Sequence, residues 1–341
     1  MTTKKITVIG DGAMATVCAM LLDSKGHQVT MWGPFEEHVE ATNRARENKR
    51  YLPGYPLPDS LKVTAVEAEA FAAKPDMIVS AIPTQFLRAT WQRFVSHVPA
   101  DVPIVSVTKG VENQTLLRPT QVIADTLGED VDNPSRLVAA LSGPSVADEL
   151  ARCLPATVCA ACTDEAFAEQ VQSLFTTSWF RVYTNTDLIG VEIAGATKNV
   201  IALAAGILDG LQAGNNAKSA LLGRGLAEIT RLGVTLGADQ QTFFGLAGVG
   251  DLATTCFSPT GRNRSAGELL GQGKPLADVL DELPGVVEGV PTTRSVLEIS
   301  KQAGIEMPIT QAVHAVLFED LDPLDAISQL MTRQPKREMV G

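Results

Sequence analysis

The fold is decided by one segment near the N-terminus, Lys5-Ile-Thr-Val-Ile9 followed directly by Gly10-Asp-Gly12-Ala-Met-Ala15. The first part is a short apolar run typical of a buried strand, and residues 16–24 have the apolar spacing of a helix. A second strand pattern follows over residues 26–32. Strand, glycine-rich turn, helix and strand within about 30 residues predict the βαβ unit that binds dinucleotides.

Each small residue of the turn has a predicted role in binding the dinucleotide. Gly10 permits the tight turn, and Gly12 lets the backbone approach a pyrophosphate. Ala15 stands where the third glycine is usual, and alanine is tolerated there. We expect the phosphates at the N-terminus of the following helix, because its free N–H groups and its dipole favour an anion.

The residues after the second strand bear on the choice between NAD and NADP. An acid there binds a ribose 2′-hydroxyl, whereas an arginine accepts a 2′-phosphate. Trp32 is followed by Gly33-Pro34-Phe35-Glu36-Glu37, which contains two acids and no arginine. We therefore expect NAD or NADP as the cofactor, with NAD slightly favoured. The alternative stays open because a basic residue further along the chain can fold back and supply the missing charge; the candidates are Arg44, Arg46 and Arg50.

Strand patterns continue through the first half of the chain and then give way to helical ones. Further strands are predicted at 61–64, 76–82, 103–108, 137–141, 157–161 and 179–183. Helices are predicted at 188–211, 217–237, 239–245, 263–271, 276–282, 292–304, 308–318 and 323–332. The predicted fold class is α/β: a doubly wound Rossmann-type sheet in residues 1–187, followed by an all-α substrate and catalytic domain in residues 188–341.

One lysine lies within the most apolar of these helices. The neighbours of Lys198 three and four positions away are Ala194, Gly195, Ile201 and Ala202, all of them apolar. Burial on such a face lowers the pKa of an ammonium group, which suits proton exchange near neutral pH. The alternative is a surface lysine at the edge of the helix, and this stretch by itself does not decide between the two.

Three other segments carry polar residues suited to an anionic ligand. Lys109 follows a predicted strand at its carboxyl end, and the loop Ser142-Gly-Pro-Ser145 precedes a helix. The glycine-rich stretch 245–264 is predicted as a loop that holds Asp251 and, at a helix start, Arg262. A guanidinium beside helix N–H groups suits a phosphate. The alternative for these residues is a solvated loop with structural ion pairs.

Composition narrows the classes of partner. The chain has 341 residues, of which 45% are hydrophobic, so two domains with a large core are expected. A net charge of -11 argues against nucleic acid or an anionic membrane as the main partner. The start has no signal-peptide pattern, and we expect no apolar run of the ~20 residues that span a bilayer. No second pair of cysteines accompanies Cys159 and Cys162 to complete a metal site, so both are expected in the core and no metal is expected. The expected compartment is a reducing cytoplasm.

Several motifs together resemble the NAD(P)-dependent glycerol-3-phosphate dehydrogenase family, in its bacterial soluble form. The match follows the order of the chain over nearly its whole length. The motifs are Thr108-Lys-Gly-Val, Ser142-Gly-Pro-Ser, Phe180-Arg-Val-Tyr-Thr-Asn, Gly195-Ala-Thr-Lys-Asn-Val, Gly248-Val-Gly-Asp-Leu, Arg262-Asn263 and Val286-Val-Glu-Gly-Val. The resemblance implies reversible reduction of dihydroxyacetone phosphate to sn-glycerol 3-phosphate, which supplies glycerophospholipid synthesis.

The resemblance also implies roles for individual residues. Lys198 matches the proton donor and acceptor. The implied substrate-binding residues are Lys109, Gly143, Ser145, Asn199, Asp251, Thr255, Gly261, Arg262 and Asn263. The implied cofactor-binding residues are Gly10, Gly12, Ala13, Met14, Lys109, Ala147, Arg262, Val286 and Glu288. Asp251 either orients Lys198 or binds a substrate hydroxyl. The candidate assembly is a homodimer.

Two departures from the family pattern concern the cofactor. Family members often have Ser-Trp or Ser-Tyr where Ala13-Met14 stand, and His or Arg where Gly33-Pro34 stand. Two rival functions remain at this point. One is a reductase of a 2-oxo or 2-hydroxy acid, which would not need a phosphate site at Arg262. The other is a non-catalytic nicotinamide sensor, which would have no use for a buried acid at Lys198.

Overall fold

The computed structural model describes residues 2–335 and 337–338, and the chain divides into two compact units. The sheet unit comprises the chain up to Thr108 together with Pro119–Leu188. The helical unit comprises Lys109–Arg118 and the chain from Ile189 onward. We call Lys109–Arg118 the inserted segment, because it leaves the sequence of the sheet unit to pack in the helical unit. The domain limits 1–187 and 188–341 did not anticipate this segment and otherwise stay a prediction.

The sheet unit contains one sheet of eight strands in the order β3-β2-β1-β4-β5-β6-β7-β8. The strands are β1 Lys5–Ile9, β2 Gln28–Trp32, β3 Lys62–Thr64, β4 Met77–Ser80, β5 Ile104–Ser106, β6 Val138–Ser142, β7 Ala156–Ala161 and β8 Phe180–Asn185. Neighbouring strands are parallel except β6 and β7. The first six follow the order 3-2-1-4-5-6 of dinucleotide-binding sheets, so the doubly wound prediction is confirmed.

The helices of the sheet unit cover a buried sheet. They are α1 Ala13–Ser24, α2 Glu36–Ala45, α3 Glu67–Phe71, α4 Thr84–Gln92, α5 Pro119–Thr126, α6 Ala147–Ala151 and α7 Glu165–Phe175. Every residue of β4, β5 and β6 is buried, as the continuous apolar runs predicted for a sheet covered on both faces. Cys159 and Cys162 are free and buried in this core, as expected.

The register of β1 and β2 brings the glycine-rich turn to the carboxyl edge of the sheet. Ile9 pairs with Trp32, and the Gly10 N–H donates a 2.8 Å hydrogen bond to the Trp32 carbonyl oxygen. Gly10 and Gly33 therefore follow adjacent strand ends. Ligands of open α/β sheets bind at this edge.

The helical unit has no strand among its described residues. Its helices are α8 Leu188–Gly210, α9 Gly214–Thr235, α10 Gln240–Phe243, α11 Asp251–Phe257, α12 Arg262–Gly271, α13 Leu276–Glu282, α14 Gly289–Gln302, α15 Pro308–Phe318 and α16 Pro323–Met331. By length and composition α8 could cross a membrane, which the sequence analysis did not expect of any segment, but most of it is buried. A buried core helix of a soluble protein can have the same length and apolar composition.

The predicted loop over 245–264 is wrong, because most of it is helical. A π-helical turn, Leu246–Gly250, runs directly into α11. Glycine lowers helix propensity, which explains the prediction, but here glycine allows close packing. A β-carbon on Gly248 would lie 2.1 Å from the carbonyl oxygen of Phe243, whose ring in turn fills the space beside Gly233. Tertiary packing thus fixes the turn that places Asp251 at the start of α11.

Glycines also let α8 and α12 approach each other closely. A β-carbon on Gly206 would lie 1.9 Å from the carbonyl oxygen of Arg264, and one on Gly210 would lie 2.2 Å from that of Glu268. From the other side, a β-carbon on Gly267 would lie 2.0 Å from the carbonyl oxygen of Leu203. The two helices that carry Lys198 and Arg262 are therefore held in backbone contact.

Candidate active site

Lys198 is buried in the middle of α8, with 6% of its surface exposed. The surface-lysine alternative is therefore excluded. The side chain does not extend its ammonium group into solvent. The group lies among polar atoms of α11. Lys198 Nζ donates to Asp251 Oδ1 at 2.7 Å and to Thr255 Oγ1 at 2.5 Å.

A second lysine shares the carboxylate of Asp251. Lys109 Nζ lies 2.6 Å from Asp251 Oδ2, while Lys198 occupies Oδ1. The Asp251 side chain is only 2% exposed. Two ammonium groups beside one buried carboxylate leave a net positive charge. The chain as a whole has a net charge of -11, so this is a local concentration of positive charge that suits an anionic substrate.

The pKa of Lys198 is set by competing effects. Burial, the largest effect, lowers it, the Asp251 carboxylate raises it, and the Lys109 ammonium lowers it, and the resulting pKa is about 8. A group with this pKa exists in both protonation states near neutral pH, so it can donate and accept a proton. This is the behaviour expected of a general acid and base.

The inserted segment holds Lys109 in place. Ser295, on α14, donates through Oγ to the Val111 carbonyl oxygen at 3.0 Å and contacts Asn113 Oδ1 at 2.5 Å. At the other end of the segment, Arg118 forms an ion pair with the buried Glu192 of α8. Val111 packs in an apolar cluster of the helical unit. The lysine therefore lies at the beginning of an anchored segment rather than on an exposed loop.

Two asparagines expected to bind substrate bond to one another. Asn263 Nδ2 donates to Asn199 Oδ1 at 2.9 Å, and Asn263 Oδ1 accepts from the Gly289 N–H at 2.8 Å. Both polar atoms of the Asn263 side chain are thus engaged within the helical unit. This links α8, α12 and α14 and orients the Asn199 amide.

Arg262 is the first residue of α12 and its side chain is exposed. Gly261 precedes it at the N-cap position and has no side chain with which to cap the helix. Gly285 approaches Arg262 closely, since a β-carbon there would lie 2.8 Å from Nη1. The half-buried Val286 follows in the same loop, and Glu288 is the N-cap residue of α14. A guanidinium at an uncapped helix N-terminus can bind an anion.

In the sheet unit, the glycine-rich turn fits a pyrophosphate. Gly10 has φ of 125°, and a β-carbon there would lie 2.6 Å from the Ala81 carbonyl oxygen, so only glycine is accommodated. Gly12 is the N-cap residue of α1, and a β-carbon there would meet nothing within 4 Å. Ala13 and Met14 follow in the first turn, where N–H groups have no partner within the helix. The turn therefore leaves space and donors for a phosphate.

The predicted loop after β6 contains another glycine whose backbone conformation would strain any other residue. Gly143 has φ of 131°, and a β-carbon there would lie 3.0 Å from the Cα of Val158. Ser145 Oγ donates to the Gly143 carbonyl oxygen at 2.9 Å, and Ala147 begins α6. These residues lie at the carboxyl edge of the sheet. Binding of substrate by Gly143 and Ser145, and of cofactor by Ala147, stays a prediction.

Two of the three arginines that were candidates to supply positive charge beside the second strand make other contacts. Arg46 donates through Nη2 to the carbonyl oxygens of Pro58 and, at 2.9 Å, Leu61. The Arg50 guanidinium lies 5.2 Å from the centre of the Tyr51 ring. Sequence reasoning missed two residues of these sites, Asp11 and Ser295. The signal for Asp11 was an acid between two glycines of the turn, whereas nothing in the sequence marked Ser295.

A dinucleotide-binding sheet combined with a helical unit that buries a Lys–Asp pair defines a nicotinamide-dependent dehydrogenase. Residues 5–168 match the family described as NAD-dependent glycerol-3-phosphate dehydrogenase N-terminus, and residues 187–328 match the corresponding C-terminus. The chain belongs to the NAD-dependent glycerol-3-phosphate dehydrogenase family.

Individual relatives agree with this assignment. The chain is 47% identical over 333 residues to glycerol-3-phosphate dehydrogenase [NAD(P)+] 1 of Salinibacter ruber, covering 98% of this chain and 96% of that protein. It is 46% identical over 337 residues to glycerol-3-phosphate dehydrogenase [NAD(P)+] of Lysinibacillus sphaericus, covering 98% of each. The crystal structure of glycerol-3-phosphate dehydrogenase from Coxiella burnetii superposes with a TM-score of 0.92 at 36% identity, covering 97% of this chain and 99% of that one.

Proposed function

We propose that this chain catalyses the reversible NAD(P)H-dependent reduction of dihydroxyacetone phosphate to sn-glycerol 3-phosphate, with Lys198 as general acid and base. The observation that carries the proposal is the buried Lys198 ammonium, 2.7 Å from Asp251 Oδ1, with a pKa of about 8. In the cell the product would feed glycerophospholipid synthesis. The family membership supports the reaction class.

Lys198 has to act on the carbonyl oxygen of the substrate. When bound, the nicotinamide supplies the hydride, and negative charge then develops on that oxygen. The Lys198 ammonium stabilises the charge and gives up its proton to form the alcohol. In the reverse direction, the neutral Lys198 amine takes the hydroxyl proton. Asp251 and Thr255 hold Nζ in one position, so little reorganisation accompanies the transfer.

The phosphate of the substrate is assigned to the N-terminus of α12. Arg262 supplies a guanidinium fork that suits a dianion, and the first N–H groups of the helix add donors. Binding energy from the phosphate positions the reacting carbonyl. The helical unit also contains Lys109, Asn199 and Asn263. Asn263 contributes by orienting the Asn199 amide.

One assay distinguishes this function from its rivals. NADH or NADPH absorbance is followed with dihydroxyacetone phosphate, with unphosphorylated dihydroxyacetone, and with a panel of 2-oxo acids. Oxidation that depends on the phosphate supports the proposal. Turnover of a 2-oxo acid without need of phosphate indicates the other reductase, and cofactor binding without turnover of any substrate indicates a sensor.

We also propose that the enzyme works in the cytoplasm as a soluble protein. All five cysteines are free, and Cys153 is exposed, which fits a reducing compartment. The candidate assembly is a homodimer. Light scattering of the purified protein at micromolar concentration distinguishes it from a monomer.

A further inference from the structure

The end of β2 lacks the acid that usually recognises an adenosine ribose. In NAD-binding βαβ units, an Asp or Glu at this position accepts hydrogen bonds from the ribose hydroxyls. Here the strand ends at Trp32 and is followed by Gly33. Glu36 and Glu37, the acids expected from sequence to serve, lie in the first turn of α2 with exposed side chains. Another acid occupies the place beside Gly33.

That acid is Asp11, which lies between the two glycines of the turn. A β-carbon on Gly33 would lie 2.5 Å from Asp11 Oδ2 and 2.8 Å from Asp11 Cγ. The carboxyl group of Asp11 therefore fills the volume into which a side chain at position 33 would extend. The two positions are complementary: the acid is carried on the glycine-rich turn, and glycine at the end of β2 makes room for it.

The surroundings of Asp11 fix the backbone of the turn and enclose one oxygen of its carboxyl group. The buried Asn48 donates through Nδ2 to the Asp11 carbonyl oxygen at 2.7 Å and to Thr16 Oγ1 at 2.8 Å, which fixes the backbone of the turn. Asp11 Oδ2 is enclosed and faces His38 Nε2 at 3.8 Å. The His38 ring packs edge-on against Tyr51 with ring centres 5.2 Å apart. Asp11 is 8% exposed, and its Oδ2 has no hydrogen-bond partner in the described part of the chain, so the carboxyl group keeps acceptor capacity for a ligand hydroxyl.

The carboxyl group of Asp11 retains acceptor capacity in either protonation state. The pKa of Asp11 is raised overall because burial is the largest effect on it, and smaller effects of His38, a backbone hydrogen bond and Arg50 lower it. An ionised carboxylate is an acceptor only, so it pairs with hydroxyl groups and repels a phosphate dianion. Arg50 is the nearby cation that would favour a 2′-phosphate instead.

We propose that Asp11 accepts the hydroxyl groups of the adenosine ribose and is the residue that makes this chain favour NAD(H) over NADP(H). The inference rests on the proposed function, because it takes the ligand to be a nicotinamide dinucleotide. Gly33 is the complementary position that admits the Asp11 carboxylate. Asn48 fixes the backbone that carries it.

The test compares the dissociation constants of NADH and NADPH, measured by calorimetry without substrate, for wild type and variants. Wild type should bind NADH more tightly than NADPH. Asp11→Asn keeps the shape and removes the charge, so the ratio should move towards NADPH by about tenfold, equivalent to about 1.4 kcal/mol. The matched control is Glu37→Gln, which removes an exposed acid of α2 and should leave the ratio unchanged.

A double variant separates the placement of the acid from its mere presence. Gly33→Asp alone should weaken both cofactors, because its β-carbon meets Asp11. Asp11→Gly with Gly33→Asp removes that clash, because the Asp11 β-carbon itself lies 2.9 Å from the position of a β-carbon on residue 33. The double variant moves the carboxylate to the end of β2, so the preference for NADH should return. Melting temperatures of all variants establish that each is folded.

Each outcome decides the inference. An unchanged ratio in folded Asp11→Asn, or a wild type that prefers NADPH tenfold, overturns the role of Asp11 and leaves the proposed reaction intact. If wild type binds neither cofactor, the proposed function fails, and this inference fails with it.

Discussion

Asp251 Oδ1 receives the Lys198 ammonium at 2.7 Å, although the two residues are 53 positions apart in the sequence. The other carboxylate oxygen receives Lys109 at 2.6 Å. Removing either lysine leaves one ammonium–carboxylate pair, whereas removing the Asp251 charge leaves two ammonium groups without a counter-charge, which is costly in a buried site. The functional properties of this site should therefore respond to each charge with a predictable sign.

Lys198→Ala should abolish turnover while leaving NADH affinity nearly unchanged. Loss of a proton donor costs about 10²–10⁴-fold in rate. The measurement is kcat with dihydroxyacetone phosphate together with calorimetric binding of NADH. Lys218→Ala is the matched control, since Lys218 is also a buried lysine paired with an aspartate, Asp209 at 2.7 Å. Wild-type turnover in folded Lys198→Ala would refute the assignment.

The rates of the two directions should depend on pH with opposite signs. Reduction needs the Lys198 ammonium, so its kcat should fall as pH rises through about 8. Oxidation of glycerol 3-phosphate needs the neutral amine and should rise over the same range. Asp251→Asn removes the group that raises this pKa and should move both limbs to lower pH. Lys109→Met removes the like charge and should move them to higher pH; shifts of the same sign in the two variants would contradict this network.

Arg262→Ala should act mainly through the substrate phosphate. The guanidinium fork pairs with a dianion, and a lysine cannot copy its geometry. KM for dihydroxyacetone phosphate should rise by about 10–100-fold, as loss of a charge-assisted hydrogen bond of roughly 1.5–3 kcal/mol implies. Reduction of unphosphorylated dihydroxyacetone serves as the internal comparison and should change little. Arg294→Ala, at an exposed arginine 4.0 Å from the Phe318 ring centre, is the control variant.

Ser295→Ala should loosen the inserted segment and, through it, Lys109. The hydroxyl group donates to Val111 and contacts Asn113, both close to Lys109 in sequence. We expect lower kcat/KM and a pH limb shifted in the same direction as in Lys109→Met, which a merely destabilising change would not produce. Ser300→Ala on the same helix is the control, because its hydroxyl group bonds within α14, to Leu297. An unshifted limb would make Ser295 a structural residue only.

Glu228→Gln should destabilise the helical unit without entering the chemistry. The buried carboxylate of α9 accepts from Ile309 N, Thr310 N and Thr310 Oγ1 at 2.9 Å each, at the start of α15. An amide turns one acceptor into a donor, which should cost about 1–3 kcal/mol in the free energy of unfolding. The measurement is urea unfolding at several pH values, with the exposed Glu298→Gln as control.

The sign of the pH effect on that stability follows from burial. Burial raises the pKa of Glu228 above its ordinary 4.5, so the folded state retains the proton longer than the unfolded state. The stability of wild type relative to Glu228→Gln should be greatest below pH of about 4.5 and should decline as pH rises through the folded-state pKa. A constant difference across this range would show that Glu228 keeps its ordinary pKa.

The sequence by itself determined the fold class and the location of most candidate residues. Gly10 and Gly12 between an apolar strand and a helix have few other uses, because the backbone geometry of the turn is local. The apolar runs of β4 and β6 and the switch to helical patterns after Asp187 are also local signals. Lys198 stood out because a lysine among small apolar residues is unusual in a helix.

Only the tertiary structure decided how these residues act. The burial of Lys198 depends on α11 and α12 packing against α8, and its pKa depends on Asp251 and Lys109, which lie far away in the sequence. The glycines of the stretch 245–264 predicted a loop because glycine lowers helix propensity, yet close packing of Gly248 on Phe243 accompanies a largely helical structure. Asp11 and Gly33 are adjacent only because β1 and β2 pair in register. Long-range packing and hydrogen bonding set these relationships, and no local pattern encodes them.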